Sequence, residues 1–193
     1  MRKFLLFLLI IFIASGLSAQ NIEKIKELIQ SEKWPEAKTA IDDYLSKERN
    51  AAKWDGWWYK GVIYNEIAKN DHYKSLVPDG RKVAFEAFKK YYELDDKHTQ
   101  AMLEQHVRLF DIYYGYFNDG IKNFNEDQKY EAAMNDFMSA NEIGAFIHDK
   151  GFEYLSGGQV VKVPDFDTLL IRNIALAAFR CNKEDICIQI WYE

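Results

Sequence analysis

The segment from Gly120 to Ala140 carries the pattern that most limits how this chain can fold. It reads GIKNFNEDQKYEAAMNDFMSA and predicts two short amphipathic helices joined by a polar turn from Asn125 to Lys129. Four residues of the second helix share one face, because they are three or four positions apart: Tyr130, Ala133, Phe137 and Ala140. One such hairpin cannot bury its own apolar face, so we expect further hairpins to pack on it.

Two other segments repeat this arrangement. Ile22 to Tyr44 predicts a first helix, a polar turn from Ser31 to Lys33, and a second helix with the same alternation of small and large apolar residues. Residues 57–64 and 84–94 predict another pair of helices. The segment between them, Ala68 to Arg81, is longer than a standard turn by about ten residues. It contains Pro78-Asp79-Gly80, which is typical of turns, and is therefore predicted to be an inserted loop.

One helix carries a recognisable repeat motif. Trp57, Gly61 and Tyr64 follow the pattern W-x2-L-G-x2-Y, with Lys60 standing where leucine is expected. On these residues the chain resembles the tetratricopeptide repeat proteins over nearly all of its length after residue 19. The resemblance implies an all-α fold, a right-handed α-solenoid of helix-turn-helix hairpins. It would form one domain over residues 20–193 with about four repeats, the last one incomplete.

The second half of the chain adds three expectations. A helical period runs from Thr99 to Phe124 and predicts one elongated helix leading into the Gly120 hairpin. Ile143 to Asp167 is predicted to be irregular, because it is rich in glycine, with a short extended piece from Gln159 to Val163. Asp167 and Thr168 then resemble a helix cap and start another helix.

The last predicted helix runs from Ile186 to Trp191 and has no capping helix after it. The sequence is therefore expected to be a C-terminally truncated fragment, the alternative being that its exposed end docks on another molecule. Cys181 and Cys187 could form a disulfide in an oxidising compartment or remain two buried thiols. The sequence leaves this pairing open.

The first nineteen residues read as a secretory signal peptide. Arg2 and Lys3 precede an apolar run from Phe4 to Ala14, and cleavage is expected near Ala19. The run is short for a membrane span, so we expect an exported protein, periplasmic or secreted, with no stable membrane insertion after cleavage. Removal of the two basic residues changes the formal net charge from −5 to −7, which argues against a nucleic-acid partner.

No pattern in the sequence indicates catalysis, a metal or a cofactor. Leu155-Ser156-Gly157-Gly158-Gln159 matches the signature of ABC-transporter ATPases, but there is no G-x-x-x-x-G-K-[ST] loop to hold the phosphates, so we interpret it as a loop. The histidines are too scattered for a zinc site. Adjacent acids such as Asp42-Asp43 point in different directions on a helix and do not make an acid–base pair. The chain is therefore expected not to be an enzyme.

The predicted function is a scaffold that binds a protein or peptide partner of unknown identity. In the family that the chain resembles, the first helix of each hairpin lines a concave groove. Carried over to this sequence, that groove would be lined by Asp55, Trp58, Tyr59, Val62, Asn65, Asn118, Lys122 and Asn125. Trp58 is the expected anchor, because Trp57 takes the core position and its neighbour must point elsewhere; the alternative is that Trp58 packs under the inserted loop.

Two other functions stay open at this point. Aromatic residues can stack on sugar rings, so a glycan- or small-molecule-binding protein of a bacterial cell envelope is the alternative, with Trp54, Trp58 and Tyr59 as the platform. The chain could also be part of a hydrolase whose catalytic domain lies beyond Glu193.

Overall fold

The computed structural model describes residues 21–165, 167–183 and 185–186, and these residues are mostly helical. The all-α class predicted from the sequence is confirmed at this level. By its internal contacts the chain divides into two compact units, Met1–His98 and Thr99–Glu193. The predicted signal peptide lies outside the described residues, as do Cys187 and nearly all of the predicted last helix. Among the described helices, none is long and apolar enough to cross a membrane.

The first unit consists of two helical hairpins and a short connecting helix. Its elements are α1 (residues 21–30), α2 (Trp34–Leu45), α3 (Glu48–Ala51), α4 (Trp54–Lys69), a 3-10 turn (Lys74–Leu76) and α5 (Gly80–Leu94). The first predicted hairpin and its polar turn are confirmed. The predicted inserted loop is also present, although its first and last residues belong to α4 and α5.

A glycine and a phenylalanine fix how α4 and α5 pack against each other. Phe88 of α5 is fully buried, and its ring lies against the backbone of Gly61. A Cβ atom at Gly61 would lie 2.6 Å from Phe88 Cε1, which is closer than real contacts allow. Ala84 is also fully buried on the same face of α5. The small-and-large pattern predicted from the sequence therefore describes this interface correctly.

The described part of the second unit contains three long helices and a β-hairpin. Its elements are α6 (Thr99–Leu103), α7 (Val107–Asn125), α8 (Tyr130–Asp149), β1 (Glu153–Ser156), β2 (Gln159–Lys162) and α9 (Thr168–Arg180). The elongated helix predicted from Thr99 onwards is wrong at its start. Gln105 and His106 adopt left-handed backbone conformations (φ 51° and 56°), which break the helix between α6 and α7.

The α7–α8 hairpin repeats the packing of α4 on α5. A Cβ atom at Gly120 would lie 2.6 Å from the ring of Phe137, and Phe137 is almost completely buried. Ala133 and Ala140 are fully buried on the same side of α8. The two helices predicted here are confirmed. Helix α7 carries the part of the predicted elongated helix from Val107 onwards, and α8 is longer than expected, because it continues to Asp149.

The segment predicted to be irregular contains more regular structure than expected. The segment was predicted to begin at Ile143, but Ile143 and Gly144 belong to α8. Ile143 is buried, and its packing stabilises the helix here despite the glycine. Antiparallel strands β1 and β2 follow, joined by Gly157 and Gly158. Both glycines have positive φ (58° and 80°), as a two-residue type I′ turn requires.

The signature-like string from Leu155 to Gln159 is thus the tip of this hairpin, and the strand predicted from Gln159 is confirmed. The predicted cap of α9 is confirmed as well. The carboxylate of Asp167 accepts a hydrogen bond of 3.1 Å from the backbone N–H of Leu170.

Candidate functional site

The predicted binding residues of α4 lie mostly inside the protein. Trp58, Val62 and Asn65 are only 2%, 6% and 1% exposed. Asp55 is half-buried, and its carboxylate accepts hydrogen bonds from the Tyr44 hydroxyl at 3.3 Å and from its neighbour's backbone N–H at 2.7 Å. Tyr59 is half-buried. The expectation that this face of α4 is open is therefore wrong, because α4 packs on both α2 and α5.

Trp58 differs most from its prediction. It was expected to be an exposed anchor, but its ring lies against Phe88 and Tyr91 of α5, at centroid distances of 5.3 and 4.9 Å. Trp57, expected in the core, is half-buried, and its indole N–H donates to the Ala51 carbonyl at 2.8 Å. A side chain this deeply buried cannot stack on a sugar, so the proposed aromatic platform also loses Trp58.

The predicted binding residues of α7, in contrast, are all exposed. Asn118, Lys122 and Asn125 lie along one side of the helix together with Tyr114 and Ile121. The five residues form a stripe because they recur at intervals close to whole helical turns. We call this set the α7 stripe. Tyr114 and Ile121 are 39% and 36% exposed, which is a substantial apolar surface beside the two amides and the ammonium group.

Contacts on the opposite side of α7 fix the direction in which the stripe faces. The Asn123 side chain donates a hydrogen bond of 2.7 Å to the Asp136 carboxylate of α8. The Tyr113 hydroxyl donates one of 2.6 Å to Asp167, the capping residue of α9. Burial and this hydrogen bond raise the pKa of Tyr113 well above its usual value. Together with the Gly120 contact, these interactions show which side of α7 packs against the rest of the unit, and the stripe lies on the other side.

The α7 stripe has the chemistry of a peptide-binding surface. A side-chain amide can both donate to and accept from a peptide backbone, and Asn118 and Asn125 are about 10 Å apart along the helix axis at about 1.5 Å per residue. An extended peptide covers that distance with about three residues. Lys122 lies between them and can pair with a carboxylate. Tyr114 and Ile121 supply apolar contact area.

Sequence reasoning missed a polar cluster between α2 and α4. The Tyr64 hydroxyl donates to the Asp42 carboxylate at 2.7 and 2.8 Å, and Lys38 and Lys60 approach it at 2.9 and 3.3 Å. The pKa of Asp42 is lowered overall. Burial alone would raise this pKa, but the hydrogen bonds from Tyr64 and Lys38 and the charges of Lys60 and Lys38 have the larger combined effect. Lys60, which replaces the leucine of the repeat motif, was the available signal. Asp43 is exposed and pairs with Lys47 at 3.2 Å, so the two adjacent acids point in different directions, as predicted.

A cleft of about 620 Å³ lies on the surface of the first hairpin. It is bordered by nine residues of α1 and α2: Asn21, Lys24, Leu28, Pro35, Glu36, Thr39, Ala40, Asp43 and Tyr44. Its size falls within the range of small-molecule sites, and its wall is mainly apolar. None of the tryptophans or tyrosines predicted to bind sugars borders it.

The described part of the chain contains no group of three or more histidine, cysteine or acidic side chains able to hold a metal ion. The structure thus brings three of the eight predicted partner-binding residues together on an accessible surface and buries or half-buries the other five.

No family model, curated protein or solved structure matches this chain.

Proposed function

We propose that this chain is an exported, non-catalytic scaffold that binds a protein or peptide segment along the α7 stripe. The observation that carries this proposal is the stripe itself: two amides, one ammonium group and two apolar side chains exposed on one side of a helix whose other side is fixed. The surface is long and open, which suits an extended ligand rather than a small molecule in a closed site.

The proposal includes the tetratricopeptide-type α-solenoid as the architecture that presents the stripe. Its support is the recurrence of one contact, a helix glycine under a phenylalanine ring, at Gly61 with Phe88 and at Gly120 with Phe137. In each case the glycine lies on the first helix of a hairpin and the phenylalanine on the second. A repeated unit with a repeated interface is what such an array is built from.

The proposal is tested with an array of synthetic peptides that vary in charge and apolar content. Because Lys122 is the cation of the stripe, we expect the binding peptides to carry a carboxylate and to bind more weakly as salt is raised. Lys122→Glu should lower the affinity for these acidic peptides about tenfold or more. Asn118→Ala should lower the affinity for both acidic and neutral peptides, since a side-chain amide hydrogen-bonds to the peptide backbone, which all of them share.

Matched control variants lie elsewhere on the surface. Asn135→Ala removes an exposed amide from α8, and Lys82→Glu reverses an exposed charge on α5. Neither should change peptide affinity. Binding that responds equally to the stripe variants and to these controls, or a complete lack of peptide binding, would contradict the proposed function.

The cleft on the first hairpin favours a second candidate, the binding of a small molecule by α1 and α2. Two acids, Glu36 and Asp43, and one base, Lys24, border the cleft, so its wall is net negative and a neutral or cationic ligand suits it better than an anion. Isothermal titration calorimetry with a panel of oligosaccharides and organic cations tests this candidate. Heat that disappears in a Thr39→Trp variant, which narrows the cleft, would support it; no heat with any ligand of the panel would reject it.

A further inference from the structure

The β-hairpin of the second unit has one face against the protein and one face in solvent. Tyr154 of β1 packs edge-on against Phe110 of α7, at a centroid distance of 4.7 Å. Because side chains alternate along a strand, the opposite face carries Glu153, Leu155, Val160 and Lys162, and all four are exposed. Leu155 and Val160 are directly opposite each other and are 60% and 52% exposed.

The turn determines which backbone groups of the hairpin point outwards. In a two-residue hairpin the residues that flank the turn, here Ser156 and Gln159, exchange backbone hydrogen bonds, and pairs along the ladder then alternate. Leu155 and Val160 form the next pair, which does not exchange hydrogen bonds. The N–H and C=O groups of these two residues therefore point away from the hairpin, as do those of Glu153 and Lys162.

A contact on β1 agrees with this geometry. The backbone N–H of Leu155 donates a hydrogen bond of 2.9 Å to the side-chain oxygen of Gln105, which lies outside the hairpin. Gln105 thus closes part of the β1 edge. The corresponding edge of β2, with the outward N–H and C=O groups of Val160 and Lys162, has no such contact in the part of the chain that the structure describes.

We propose that the β2 edge is a self-association site, where β2 of a second copy of this chain pairs antiparallel with it. Unpaired N–H and C=O groups at strand spacing are satisfied best by another strand, and an exposed strand edge is a template for one. With the two-fold axis at Val161, Val160 of each copy lies opposite Lys162 of the other. Both outward-pointing residues of each strand then exchange backbone hydrogen bonds, giving four across the interface.

Charge favours the same arrangement. Lys162 pairs with Glu153 of its own hairpin at 2.8 Å, and in the four-stranded sheet it lies opposite the uncharged Val160 of the second copy. No two like charges therefore lie directly opposite each other. The aliphatic stem of each Lys162 can cover Val160 of the partner copy. The edge is therefore complementary to itself, which a two-fold interface requires.

Sedimentation velocity over a wide concentration series tests the proposal on the purified chain. The wild-type protein should shift from monomer to dimer as concentration rises. Val160→Pro removes an outward N–H but none of the hydrogen bonds inside the hairpin, and proline is tolerated on strand edges. Two N–H donors are lost per dimer, so we expect the dimer Kd to rise about 30-fold. Lys162→Pro tests the second outward N–H in the same way.

Val160→Thr is the matched control, because it keeps the backbone N–H and the branched shape, and it should dimerise like the wild type. Circular dichroism of each variant confirms that the helices are intact. A wild-type chain that stays monomeric at all concentrations overturns the proposal. A dimer unaffected by either proline variant also overturns it, since another surface would then hold the copies together. Asn118→Ala, which tests the α7 stripe, should leave this equilibrium unchanged.

Discussion

Replacement of Gly61 by alanine tests the central packing argument of the first unit. The added Cβ would lie 2.6, 2.6 and 2.8 Å from three ring atoms of Phe88. The ring is fully buried and cannot swing into solvent. Overpacking of this kind costs about 1–3 kcal/mol, and contact with three rigid ring atoms places the cost in the upper part of that range.

The gain in helix propensity from alanine has to be subtracted from this cost. Alanine is a better helix former than glycine by about 1 kcal/mol, because glycine loses more backbone entropy on folding. The net expectation for Gly61→Ala is therefore a loss of about 1–2 kcal/mol in the free energy of unfolding. Urea denaturation followed by circular dichroism measures it, and the denaturant slope should stay unchanged.

A double-mutant cycle separates the two effects. In a Phe88→Leu background the ring is gone, so Gly61→Ala should no longer destabilise the protein and should reveal its helix-propensity gain. A coupling free energy of about 2–3 kcal/mol is expected between the two sites, because the cycle cancels the helix-propensity gain and leaves the overpacking cost. If Gly61→Ala instead stabilises the wild-type protein by about 1 kcal/mol, the ring has room to move and the packing argument is refuted.

Three further predictions follow from hydrogen bonds and backbone geometry. Asp42→Asn should destabilise the protein at neutral pH. Since the folded-state pKa of Asp42 is lowered, the ionised carboxylate contributes to the free energy of unfolding above about pH 4, and this contribution is lost as the pH falls through the folded pKa. Urea denaturation curves of the variant and the wild type should therefore converge in acid. Tyr113→Phe should cost about 1–2 kcal/mol, measured by urea denaturation, because the 2.6 Å hydrogen bond to Asp167 is lost; no change would mean that Asp167 caps α9 equally well alone. Gly158→Ala should cost about 1 kcal/mol, because φ is 80° there, whereas Gly157→Asn should be tolerated; equal effects in thermal melts would contradict the assigned turn.

Much of the helical framework could be predicted from the sequence, because helix periodicity is a local property. Small and large apolar residues at intervals of three and four assign one face of a helix to the interior. Ala133 and Phe137 on α8 therefore lie where the pattern places them. The paired glycines of the hairpin turn are also a local signal, since few residues other than glycine adopt positive φ at both positions, but this segment was predicted to be irregular and the hairpin was missed. The cap at Asp167 is local as well.

The candidate site depended on contacts that no local pattern contains. Periodicity gives the direction of Trp58 around α4, but only the tertiary structure shows that α5 covers this direction with Phe88 and Tyr91. The predicted groove residues are buried or half-buried on α4, which packs on both α2 and α5, whereas those on α7 are exposed. Which face of a helix stays open is decided by its neighbours.

The sequence by itself determined the helical class and most residues of the core stripes, with Trp57 and Trp58 of α4 as exceptions, because these follow from backbone geometry and side-chain size over a few turns. Only the tertiary structure decided that Tyr64 and Lys60 of α4 contact Asp42 of α2. It also decided that Gln105 hydrogen-bonds to the β1 edge, while no described residue does so along the β2 edge. These features join residues far apart in the chain, and their free energy arises only when both partners are in place.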